Sequence, residues 1–110
     1  MKLSEVVFEG CTGTVQGYGK MMVDDGEVFV CCALGAAYVG LVRRGLAHLD
    51  NARPYGCLCH MFPELDAPPP NDVPEKGYKG DSLLDVIVFL NDTCKWTRER
   101  IAEYLQSLGY

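Results

Sequence analysis

Positive charge is what this sequence has too little of to hold a nucleic acid. Lysine and arginine total 10 against 15 aspartates and glutamates, a net charge of −5. An acidic surface repels phosphate backbones, so no nucleic-acid partner is expected. The Arg43-Arg44 pair and the Lys95, Arg98, Arg100 group are too small to reverse that sign. Long apolar runs are also missing. Val28 to Val42 is nearly unbroken hydrophobic sequence, but it is shorter than the roughly 20 residues that cross a bilayer. It reads as a buried strand-to-helix unit, and no membrane contact is expected. The segment Met1 to Glu9 carries two glutamates and no apolar core, so no secretory signal is expected. Six cysteines in that setting point to free thiols in a reducing, cytoplasmic compartment.

Complete cofactor motifs are lacking too. Gly10, Gly13, Gly17 and Gly19 make a glycine-rich stretch, but the spacing from Gly13 to Gly19 is too long for a phosphate-binding P-loop, and Met21 follows Lys20. In Gly17-Tyr18-Gly19-Lys20-Met21-Met22 the last position of a dinucleotide fingerprint is a methionine. Loop glycines at positive φ are the simpler reading. Cys57-Leu58-Cys59-His60 gathers three soft ligands. Structural zinc prefers Cys-x-x-Cys, because two intervening residues turn both thiolates toward one ion, and a fourth ligand would have to come from Cys11, Cys31 or Cys94. The expectation is no metal and no cofactor. Disulfides between Cys57 and Cys59, or Cys31 and Cys32, would be strained.

What is present is one globular domain spanning 1–110, 48% hydrophobic and 23% charged, with enough apolar surface for one modest core. Ser4 is a candidate N-cap for a short first helix ended by Gly10. Lys20 to Val23 and Val28 to Val30 flank Asp25-Gly26, a β-hairpin signal. Residues 32–49 read as a central helix, apolar on most sides and therefore buried on most sides. Gly35, Ala36, Ala37 and Gly40 would let neighbours approach closely. Arg43, Arg44 and His48 suit its C-terminal end. Pro63 to Asp81 reads as a long proline-rich loop. Ser82 with Asp85 signals an N-cap before Leu83 to Leu90, and Thr97 caps a last helix stopped by Gly109. The expected fold class is α+β: a β-hairpin packed on a bundle of about three helices.

The most informative stretch is Gly26 to Ala37, where a turn feeds a β-branched strand that runs into a helix of very small residues with Cys31-Cys32 at the junction. A thiol there meets unpaired backbone N–H groups and the positive helix end, which lowers thiol pKa values. A small apolar residue also simply packs at such a junction. Gln16-Gly17, then Cys32-Ala33-Leu34-Gly35-Ala36, then Asn91-Asp92 before a short terminal helix resembles a family of small uncharacterised bacterial and bacteriophage proteins. That family shares a Gln-Gly, a Cys-x-x-Gly-Ala helix start and an Asn-Asp pair. Here Leu90, not tryptophan, precedes the Asn-Asp pair, and Trp96 comes later. The resemblance implies an α+β accessory protein of the cytosol, often viral or prophage in origin, and carries no established activity.

Two functions follow as expectations. The first is a small accessory protein acting by contact with an unidentified protein partner. The proline-rich loop, with Tyr78 as its contact point, and an apolar anchor of Met61, Phe62 and Tyr55 are its candidate surfaces. On that reading, a chain lacking residues 67–75 should still fold. The second is a Cys-dependent hydrolase in which Cys32 is the nucleophile, His60 the base, and Asn91 or Asp92 the group that orients the imidazole. A satisfied core or surface histidine is the commoner outcome for His60, and the Asn91-Asp92 pair is more simply explained as a helix-capping turn.

Overall fold

The computed structural model describes residues 1–24 and 26–110. The class is α+β. Helix α1 (Leu3–Cys11) leads to three short strands, β1 (Val15–Gln16), β2 (Met22–Asp24) and β3 (Phe29–Cys31). Helices α2 (Ala33–Arg43) and α3 (Pro54–Met61) follow. After a 3₁₀ turn at Pro63–Asp66 come α4 (Leu83–Val88), continued by one π-helical turn (Phe89–Thr93), and α5 (Arg98–Ser107).

The sheet order is β1-β3-β2. Strands β2 and β3 form the expected antiparallel hairpin, with Val23 opposite Val30 and Met22 opposite Cys31. The Asp25 of the expected turn lies outside the described residues. Strand β1 pairs with β3 in parallel, Val15 opposite Val30 and Gln16 opposite Cys31. Paired residues share a face. Cys31 is fully buried, so Gln16 and Met22 point inward with it, while Val15, Val30 and Val23 line the outer face. That register turns Gln16 toward the protein interior.

Helices α1 and α2 form the largest helix–helix contact. Its closeness is set by glycine. A Cβ on Gly10 would lie 1.7 Å from the Ala36 carbonyl oxygen, and one on Gly40 would lie 2.3 Å from that of Val6. Gly10 therefore sits inside α1 instead of ending it, and Ser4 is a buried helical residue instead of a cap. The turn is closed by Glu5, whose carboxylate accepts from the Lys2 N–H at 3.2 Å. Across the outer edge of the pair, Arg43 donates to the Glu9 and Thr12 carbonyls, both at 2.6 Å. These carbonyls terminate α1, which has no basic residue in its own last turn. Arg44 pairs with the Glu9 carboxylate, and this hydrogen bond holds Glu9 below its ordinary pKa.

Helix α2 is shorter than its apolar sequence suggests. Gly45 adopts φ +73°, its N–H meets the Val42 carbonyl at 3.0 Å, and the Leu46 N–H meets that of Leu41 at 2.9 Å. This is a Schellman stop, which the glycine makes without Cβ strain. Gly109 ends α5 in the same way, as expected, with the Tyr110 N–H on the Leu105 carbonyl at 3.0 Å. The Ser82 and Thr97 caps form as well, with Asp85 N to Ser82 Oγ at 3.3 Å and Arg100 N to Thr97 Oγ1 at 3.1 Å.

The loop after Pro63 is less free than its prolines suggest. Leu65 is buried, and Val73 and Tyr78 pack against the core. Tyr78 meets Phe89 edge-on at 5.6 Å, and Glu75 accepts from the Trp96 indole at 2.9 Å. Tyr78 is thus a packing residue, since a stiff loop needs few apolar anchors to be held down. Deleting 67–75 removes the Val73 contact and the Glu75 bond, roughly 2 kcal/mol together. The melting temperature is expected to fall by about 10 °C or more; an unchanged melt would restore the freestanding loop.

Candidate functional site

The three short motifs singled out in the sequence meet in space. Asn91, fully buried in the π-helical turn, is their common point. Its Oδ1 accepts from the Ala33 N–H and from Gln16 Nε2, both at 3.1 Å. Its Nδ2 donates to the Gly17 carbonyl at 2.9 Å and to Asp92 Oδ1 at 2.7 Å. One amide therefore ties the end of β1, the first turn of α2 and the turn after α4 together, using its donors and acceptors fully. Gln16 extends the network, donating to the Trp96 carbonyl at 2.6 Å and accepting from the Arg98 N–H at 3.3 Å.

Cys32 is the N-cap of α2. Its Sγ accepts from the Gly35 N–H at 3.4 Å, where serine or aspartate more often stands. The Ala33 N–H is taken by Asn91, so the exposed-donor environment expected at a helix start is already filled. Burial pushes the Cys32 thiol above its ordinary value; the Gly35 and Leu34 N–H groups oppose that, and the Asp92 charge adds to it. Burial therefore favours the neutral thiol at Cys32. Its alkylation rate by iodoacetamide, read by site-resolved mass spectrometry, is expected to keep rising with pH beyond the ordinary thiol range. A plateau below pH 7 would show an activated thiolate instead.

Above this network lies an open cavity of about 100 Å³. Cys32, Ala33 and Leu34 at the start of α2 line one side. Ile87, Val88 and Asp92 line the other, and Gly19, Lys20 and Tyr55 complete it. The structure thus brings Cys32 and Asp92 into one cavity, with Asn91 directly behind them. His60 is exposed in the last turn of α3 and does not line the cavity. Tyr55, in the first turn of the same helix, does. Burial raises the Tyr55 phenol pKa, with further contributions from Cys32 and the Asp92 charge.

Tyr55 was legible in the sequence only as an apolar anchor beside Met61 and Phe62. Phe62 is in fact core, at 2% exposure, and Met61 is half-buried. Lys20 carried no signal beyond an incomplete phosphate-loop pattern. Cys57, Cys59 and His60 lie on α3, where steps of about 100° per residue send Cys57 and Cys59 to opposite sides. Among the described residues no three histidine, cysteine or acidic side chains gather to hold a metal ion. All six cysteines are free. The basic residues near the C-terminus are engaged within the chain. Lys95 sits over the Tyr18 ring at 3.9 Å and Arg100 over Trp96 at 3.5 Å. Arg98, 4% exposed, donates to Thr14 Oγ1 at 2.7 Å and to Cys31 Sγ at 3.2 Å. No described helix is long and apolar enough to cross a membrane. Comparison with protein-family models, curated proteins and solved structures found no match in any of the three.

Proposed function

We propose that the protein is a small accessory module that acts by binding a partner protein, and that the cavity at the start of α2 is where the partner is engaged. The observation that carries this reading is an open cavity whose cysteine is already used as a helix cap and kept neutral by burial. Binding needs a shaped recess with apolar walls and a few placed polar groups, which Leu34, Ile87, Val88, Asp92 and Tyr55 supply. The alternative of a Cys-dependent hydrolase asks for a thiolate with a base in reach. Burial opposes the thiolate, and His60 lies outside the cavity lining. A cytoplasmic setting and a bacterial, phage or prophage origin belong to the same proposal. Six free thiols suit a reducing compartment, and the motif resemblance supplies the origin.

Photocrosslinking in the producing cells tests it. With p-benzoylphenylalanine in place of Tyr55, a discrete protein adduct is expected, and it should vanish when the cavity is filled by Val88→Trp. No adduct, or one indifferent to filling, overturns the reading.

A further inference from the structure

We infer that the cavity is a socket for a lysine side chain presented by a basic partner; this rests on the binding function proposed above and names its ligand chemistry. The size sets the first limit. At about 100 Å³ the space is smaller than the ~150 Å³ cavity that accepts a benzene ring, so it fits one slender side chain and no aromatic one. The walls set the second. Leu34, Ile87 and Val88 are aliphatic and match a run of methylenes, which a long charged side chain lays along apolar surface.

The charge sets the third limit. Asp92 is half-buried in the wall. Its Oδ1 is oriented by Asn91 Nδ2 at 2.7 Å, and the direct ion pairs among the described residues join Arg44 to Glu5 and Glu9, so Asp92 takes part in none of them. A carboxylate partly withdrawn from water gains most from a cation that arrives with the ligand. Tyr55, 42% exposed, lines the same cavity, and aromatic rings attract cations. An ammonium meets a carboxylate as a compact point charge, whereas a guanidinium gains most from a bidentate carboxylate, and Asp92 Oδ1 already accepts from Asn91 Nδ2. The net charge of −5 steers basic partners toward the surface in general. Lys20 also lines the cavity and repels such a ligand, so it weakens binding and its removal should strengthen it.

The test is a titration of the whole ¹⁵N-labelled chain with N-acetyl-lysine methylamide, followed by NMR. Saturable shifts are expected at Ala33, Leu34, Ile87, Val88 and Asp92. The Asp92→Asn variant should bind at least about tenfold more weakly, and Lys20→Met about twofold or more tightly. The norleucine analogue has a similar aliphatic stem without the charge and should not bind. Glycinamide, an ammonium without the stem, should not bind either. Equal binding of norleucine would make the cavity a plain apolar recess, and equal binding of glycinamide would assign it to a chain terminus. Tighter binding of the glutamate analogue would give the ligand the opposite sign. Each of these, or no shifts with any compound, overturns the lysine assignment. Should Asp92→Asn fail to fold, the lysine–norleucine comparison on the native chain decides alone. A cavity-dependent crosslink at position 55 without a lysine response would leave the binding function standing and remove only the lysine.

Discussion

Replacing Gly10 by alanine is expected to lower the melting temperature by about 15 °C or more, from a loss of roughly 3 kcal/mol. Two effects compete. Alanine is the better helix former, and at an exposed helical site the change would stabilise by up to about 1 kcal/mol. Here the added Cβ would lie 1.7 Å from the Ala36 carbonyl oxygen and 2.4 Å from its carbon. Both are backbone atoms that cannot rotate aside. Relief requires α1 and α2 to separate, which opens the core around Leu3, Val6, Val7 and Leu34, all at most 1% exposed. Loosening that much apolar contact outweighs the propensity gain. Circular dichroism melts of native and Gly10→Ala chains measure the difference. A variant as stable as the native chain would show that the two helices do not approach through Gly10.

Asn91→Leu is expected to be nearly as damaging, at about 3–4 kcal/mol, although it keeps a similar volume in a fully buried site. The Ala33 N–H and the Gly17 carbonyl would lose the partner that Asn91 supplies, and Gln16 would lose one of its two acceptors. Unpaired buried groups each cost about 1–3 kcal/mol. Asn91→Asp separates hydrogen bonding from shape. It retains acceptors for Ala33 and Gln16 but replaces a donor by a carboxylate oxygen facing the Gly17 carbonyl and Asp92. Burial and the adjacent charge raise the pKa of the new carboxyl above its unfolded value. The folded state then binds the proton more tightly than the unfolded one, so stability is regained as pH falls. The deficit against the native chain is expected to be largest at pH 7 and to shrink toward pH 5. Chemical denaturation at both values measures it, and a deficit independent of pH would contradict this placement of Asn91.

These two sites were unevenly legible in the sequence. Asn91 and Asp92 were visible as a pair after an apolar segment, and Cys32 as a cysteine at a helix start, because local patterning marks element ends. Their meeting was not visible. It depends on the π-helical turn at Phe89–Thr93, which re-aims Asn91 beneath α2, and on a two-residue strand, Val15–Gln16, too short to leave a periodic signal. The sequence marks Gly10 as a helix stop because a glycine near a helix end usually is one. Inside α1 it serves instead as a contact surface for Ala36, which only the partner helix reveals.

What the sequence determined by itself is what local chemistry controls. Ser82 and Thr97 start helices because their hydroxyls accept from backbone N–H groups three residues on. Gly109 stops one because it takes φ +90° without strain. The acidic balance and the missing 20-residue apolar run follow from composition alone. Tertiary structure decided everything that needs distant segments side by side. It held the proline-rich loop through Val73 and Glu75, and it set Tyr55, Lys20 and Asp92 around one cavity while leaving His60 outside. The physical reason is range. Caps and turns act over three or four residues, whereas burial and a shared hydrogen-bonding side chain join residues far apart in the chain, where no spacing in the sequence records the distance.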